Sequence, residues 1–113
     1  MRHPSSSDFM EALGVAPVEE DPSEGYFRYL ISGEQGCELD LSFNVVAASF
    51  QVVLRCNGDE MVRLSSEMTR FIDLRREERG VSLYVEFDLP HCSAAAEVML
   101  EPRLHCHWWA LRA

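Results

Sequence analysis

Lysine is missing from this sequence: all ten basic residues are arginine, and they stand against nineteen acidic ones for a formal net charge of −9. Such a field repels phosphate backbones, so direct binding of nucleic acid is disfavoured and attraction to a basic protein is favoured. Arginine without lysine also suggests an arginine-biased coding sequence, as in a GC-rich bacterium. Long apolar runs are missing as well. The opening "MRHPSSSDFMEALG" holds no signal-peptide core, and no later stretch approaches the roughly 18 apolar residues of a membrane helix, so a cytoplasmic location without membrane contact is expected. There is no glycine-rich phosphate loop, no G-x-S-x-G elbow and no H-E-x-x-H, so neither an enzyme nor a cofactor is expected. Cys37, Cys56, Cys92 and Cys106 lack the C-x-x-C spacing of zinc knuckles and redox motifs. Their even number permits pairing, but in a reducing compartment the expectation is free thiols acting as small core residues.

What is present is a chain of 113 residues, 47% hydrophobic and 26% charged, enough for one domain (1–113) to bury a core without staples. Residues 1–7 are polar and expected to be loose. Over 8–14 the spacing predicts a short helix, with Asp8 able to cap, Glu11 three residues later as its capping-box partner and Gly14 to end it. Residues 17–25, "PVEEDPSEG", carry two prolines and four carboxylates and read as a solvated acidic linker.

From residue 26 to 112 the hydrophobic period is two. In "CELDLSFN", Cys37, Leu39, Leu41 and Phe43 alternate with polar residues, and "SFQVVLRC", "VSLYVEFDL" and "AAEVMLE" repeat the device. Turn signals separate these runs, among them Asn57-Gly58 and Arg79-Gly80. The expected fold class is therefore α+β, mostly β: a short N-terminal helix followed by an antiparallel meander, either a single sheet or closed into a sandwich. Residues 59–75 fit two patterns. Met61, Leu64, Met68, Phe71 and Ile72 have helical spacing, whereas Val62, Leu64 and Ser66, then Ile72 and Leu74, fit two strands. The hairpin-like "FIDLRREERGVSLYVEF" favours strands.

The segment with the most chemistry is "RLHCHWWALR". As a strand it places Leu104, Cys106 and Trp108 on one face and His105, His107 and Trp109 on the other. Two histidines two residues apart, with His91 and Cys92 from across the sheet, could ligate a metal, but the spacing is equally that of a terminal strand. Cys92 beside His91 does not form a nucleophile and base pair, because neighbours in an extended segment point to opposite faces. Glu38, Asp40, Glu86, Asp88, Glu97 and Glu101 all fall on polar positions of alternating strands, which predicts exposure rather than the burial that an acid–base pair requires. They predict an acidic surface. The candidates for partner binding are accordingly Glu38, Asp40, Glu86 and Asp88, with Trp109 as an aromatic anchor. The other reading of Trp109 is packing against the N-terminal helix.

In its size, its short capped helix before a β-rich body, its "CELDLSFNVVAASFQVVL" and its closing "WWALR", the chain resembles the small acidic immunity proteins that bacteria encode beside toxins of contact-dependent growth inhibition and related polymorphic systems. The resemblance carries no family residue over by position. It implies a cytosolic protein that binds a cognate toxin domain, often a basic nuclease, and blocks its active site or substrate surface. Two alternatives stay open: a metal- or small-molecule-binding β domain, and a homo-oligomeric structural subunit completed across a sheet edge.

Overall fold

The computed structural model describes residues 1–112. It contains a helix, α1 (Ser6–Leu13), and nine strands: β1 (Glu19–Asp21), β2 (Tyr26–Ser32), β3 (Cys37–Asn44), β4 (Ser49–Cys56), β5 (Asp59–Ser66), β6 (Thr69–Glu77), β7 (Gly80–Phe87), β8 (Cys92–Glu101) and β9 (His105–Arg112). The first five form one antiparallel sheet in chain order, and the last four form a second. The mostly β, α+β meander expected from the alternation is what the chain adopts. Among the described residues no helix is long and apolar enough to cross a membrane.

The inward residues of both sheets make one core. Leu39, Leu41, Phe43, Phe50 and Val52 of the first sheet share it with Leu83, Val85, Phe87, Ala96 and Val98 of the second. Aromatic rings carry the contact between sheets: Phe87 stacks on Trp108 at 4.9 Å between centroids, and Phe50 lies 6.4 Å from Phe87 and 6.1 Å from Trp108. Two residues, Glu67 and Met68, carry the chain from the last strand of one sheet to the first of the other. Apart from the connecting Glu67 and Met68, residues 59–75 are therefore strand; Leu64, Ile72 and Leu74 turn toward the buried side, whereas Val62, like Met61, is exposed on the edge strand β5. The helical pattern arose because Met61 and Met68, which extended it, are exposed.

Turn chemistry sets the register. Asn57 and Gly58 both take positive φ, 54° and 85°, as a two-residue turn between β4 and β5 requires. Gly80 opens β7 at φ 135°, and a Cβ there would fall 1.9 Å from the Glu101 carbonyl oxygen.

The N-terminal third differs from expectation in three places. The helix begins one turn-fraction earlier, because Ser5, and not Asp8, is its N-cap. Ser5 Oγ accepts from the Asp8 N–H at 3.1 Å, and Asp8 Oδ2 accepts from the Ser5 N–H at 2.8 Å, a reciprocal capping box. These bonds to Ser5 hold the Asp8 carboxyl below the usual carboxylate range. Gly14 ends the helix as expected. Residues 1–7 are not loose: the Ile72 N–H donates to the Arg2 carbonyl, Pro4 is buried, and His3 packs against Phe27 and Phe43. The stretch 17–25 is not only linker, since Glu19–Asp21 pairs with β2 as a short outer strand. A fourth difference concerns cysteine. Cys37 and Cys56, opposite each other on β3 and β4, form a disulfide, while Cys92 and Cys106 remain free thiols.

Candidate partner-binding surfaces

The five candidate partner-binding residues lie on two surfaces that face away from each other. Glu38 and Asp40 are on the outer face of the first sheet; Glu86, Asp88 and Trp109 are on the outer face of the second. The alternation that buries Leu39 and Phe87 inward forces this division.

On the first sheet Asp40 is not an exposed carboxylate. It is 6% exposed and sits between two guanidiniums. Arg28 donates to it twice, from Nε and Nη2, each at 2.9 Å, and Arg55 donates from Nη1 at 2.9 Å. The paired fork of Arg28 gives a bidentate, charge-assisted contact. These bonds, Arg28 foremost, outweigh desolvation and hold the Asp40 carboxyl below the usual range. Arg28 also donates to Glu19 on β1, so charges of alternating sign run from β1 across to β4. Val53 faces outward in register with Asp40 and is fully buried as well, so this network roofs the sheet. The expectation that Asp40 stands in solvent is thus corrected: alternation placed it on the correct face, but arginines from both neighbouring strands close over it. Glu38, beside it, is half-buried.

The outer face of the second sheet is built differently. Its rows follow from the register: Phe71, Glu86, Ala95 and Trp109 across one line, and Asp73, Tyr84, Glu97 and His107 across the next. Arg2 lies over the Phe71 ring at 4.8 Å and Arg75 over Tyr84 at 4.3 Å, both cation–π contacts. Trp109 lies 6.4 Å from Tyr84 and 4.9 Å from His107, between centroids. It therefore does not pack on the helix. That helix leans on β6 and sends Phe9 inward to stack on Tyr29 at 3.9 Å, while the neighbouring Trp108 supplies the core contact. Between Glu86 and Trp109 the small side chain of Ala95 leaves a depression of about 270 Å³, whose rim includes Asp88, Ser93 and Arg70. Arg70 reaches Glu86 at 3.3 Å with two-thirds of its side chain exposed. Asp88 is exposed and has no ion-pair partner among the described residues.

The four metal candidates are not brought together. Cys92 pairs with Arg112 at one end of β9, whereas His105 pairs with Met99 at the other, a separation of roughly 20 Å at about 3.3 Å per residue. His91 precedes Cys92 in the turn, and His105 and His107 are exposed on the edge strand. Among the described residues no group of three or more histidine, cysteine, aspartate or glutamate side chains is placed to hold a metal ion. Cys106 faces inward, and burial raises its thiol pKa. The alternation puts Tyr84 on the outward phase of its strand, but sequence reasoning did not link it with Ala95 and Arg70 as parts of the second-sheet surface. The small residue opposite two long ones was visible in "SAAAEV", but only the register shows which pair it separates.

No protein-family model matches the chain, and no curated protein matches it in sequence. A chain of the contact-dependent growth inhibition toxin and immunity protein complex from Klebsiella pneumoniae 342 does match it in structure, with a TM-score of 0.89 over 97% of this chain and 96% of that one. The two share 19% sequence identity, and at that level the likeness is one of fold.

Proposed function

We propose that this protein is a non-catalytic binding module that captures and neutralises a cognate toxin domain, as an immunity protein of a contact-dependent growth inhibition or related system. The observation that carries the reading is the end-to-end match of its fold to a chain of such a toxin and immunity protein complex. The net charge of −9 supports the inhibitor's role within such a pair and points to a basic toxin domain, such as a nuclease, whose approach it would steer and accelerate. A toxin acting inside the cell places the inhibitor in the cytoplasm. The half-buried Glu86 and exposed Asp88 with Trp109, and Glu38 on the opposite sheet, are the candidate contacts, whereas Asp40 acts through the two arginines it holds.

The test is a tagged pull-down from the source cell read by native mass spectrometry, followed by co-expression of the partner in a host that the partner alone poisons. A single basic partner at one-to-one stoichiometry, with growth restored, is the expected result. A bare monomer, a metal-loaded monomer or a homo-oligomer without a second protein overturns the reading.

A further inference from the structure

We propose that the depression between Glu86 and Trp109 on the outer face of the second sheet is a slot for an arginine side chain of the partner protein. The proposal rests on the toxin-binding reading above and names the chemistry by which that binding is anchored. Three features of the slot carry it. The first is shape. Glu86 and Trp109 belong to β7 and β9, which flank β8, and at about 4.8 Å per strand their backbones lie roughly 10 Å apart. Ala95 occupies the position between them; its neighbours leave it only 4% exposed, so its methyl lies beneath the slot, Tyr84 also lines it, and the depression of about 270 Å³ has room for one planar side chain.

The second feature is the composition of the walls. One is an indole, on which a planar guanidinium stacks. The other wall and the rim hold the Glu86 and Asp88 carboxylates, which accept its N–H groups. With Arg70 as the one cation in the lining, the charge of the slot is −1. Arg70 meets Glu86 only through an exposed contact at 3.3 Å, which is weak and readily exchanged, and Asp88 is left for an incoming cation.

The third feature is precedent on the same face. Phe71 and Tyr84 each already carry a guanidinium of this chain, at 4.8 Å and 4.3 Å. Trp109, the third aromatic of the face and the best cation–π acceptor of the three types, has His107 at 4.9 Å and Tyr84 at 6.4 Å, and no guanidinium lies over it among the described residues. The first sheet offers no equivalent. Its Asp40 is enclosed by Arg28 and Arg55 and has no face left to present.

The experiment has two arms. In the first, the toxin domain recovered as the one-to-one partner is titrated against the wild-type protein and against Asp88→Lys, Trp109→Ala and Asp59→Asn, the last an exposed carboxylate on the first sheet outside the candidate contacts. The expected result is a Kd at least about tenfold weaker for the first two and unchanged within about twofold for the third, a spread typical of an anchor residue set against a peripheral one. Unchanged affinity in both slot variants overturns the proposal and leaves the toxin-binding reading standing. Circular dichroism of Trp109→Ala controls for folding, and Asp88→Lys keeps the test decisive if that variant is destabilised.

In the second arm, which needs no toxin, the isotopically labelled protein is titrated with a Gly-Arg-Gly-Arg-Gly peptide, and separately with its lysine and glutamate counterparts. Shifts of the Trp109 indole and the Ala95 and Ser93 amides with the arginine peptide, weaker with lysine and absent with glutamate, are expected. If the peptide shifts these signals but no toxin is captured, the slot holds and the toxin-binding reading fails. If the arginine peptide moves none of these signals, or lysine acts as strongly, the slot is not an arginine site.

Discussion

The two sheets present outer faces with the same alternating pattern and opposite chemistry. The first is closed. A disulfide joins β3 to β4, and Asp40 lies buried under Arg28 and Arg55. The second is open: its two cysteines are free thiols, its charged pairs such as Arg70 with Glu86 are exposed, and its aromatics Tyr84 and Trp109 border an unfilled depression. The contrast teaches that polar positions in a one-sided sheet are not equivalent. Where charges on adjacent strands are opposite in sign and within reach, they satisfy one another and become structure; where a small residue separates them, they stay open to solvent.

The largest break acts on what both sheets share. Phe87 stacks on Trp108 and faces Phe50 across the core, so Phe87→Ala should cost about 3–5 kcal/mol in chemical denaturation. Next is the cross-link of the closed sheet. The disulfide spans 19 residues of sequence, and its loss in Cys37→Ser or by reduction should cost about 2–3 kcal/mol. The strands it joins remain paired over β3 and β4, so the reduced protein should keep its β-sheet circular dichroism under reducing conditions. Unfolding on reduction would show the closed sheet to depend on the cross-link alone.

Asp40 comes third. Asp40→Ala strands two guanidiniums that are each about 30% exposed and can recover water, so the cost should be about 2 kcal/mol, below that of a fully buried pair. Its pH dependence has a definite sign. The folded carboxyl titrates below its ordinary 3.8, so its contribution is fully present above that value and is lost as pH falls through the lower folded one. The stability gap between wild type and Asp40→Asn should therefore be constant down to about pH 5 and shrink in stronger acid. A gap that persists at the acid end would mean that shape and not charge holds the network.

Much of this was legible in the sequence because hydrophobic period reports directly on burial. Leu39, Leu41 and Phe43 alternate as they pack, Asn57-Gly58 turns where it should, and Leu104, Cys106 and Trp108 face inward while His105, His107 and Trp109 face out. What escaped depends on register, a long-range property. Nothing local says that Cys37 stands opposite Cys56, or that Arg28 and Arg55 reach Asp40 from either side while, among the described residues, no cation pairs with Asp88. Ser5 was passed over as a cap because Asp8 and Glu11 satisfy the same three-residue spacing that Ser5 and Asp8 satisfy. The slot escaped for a related reason: Glu86, Ala95 and Trp109 come from three strands and become neighbours only when those strands are aligned.

The smallest expected effect on stability separates the two faces most sharply. Asp40→Lys puts a third cation against Arg28 and Arg55 in a buried position and should destabilise by more than Asp40→Ala. Asp88→Lys makes the same chemical change at an exposed carboxylate with no ion-pair partner among the described residues, so its unfolding free energy should stay within about 0.5 kcal/mol of wild type. The pair is informative because both substitutions shift net charge equally, and any general effect of charge on the fold cancels between them. Equal destabilisation would mean that the second sheet is closed by contacts as strong as those of the first, and its carboxylates would then be structural too. Stability lost only at Asp40, with partner affinity lost at Asp88, assigns the work of holding the fold to one face and the work of recognition to the other.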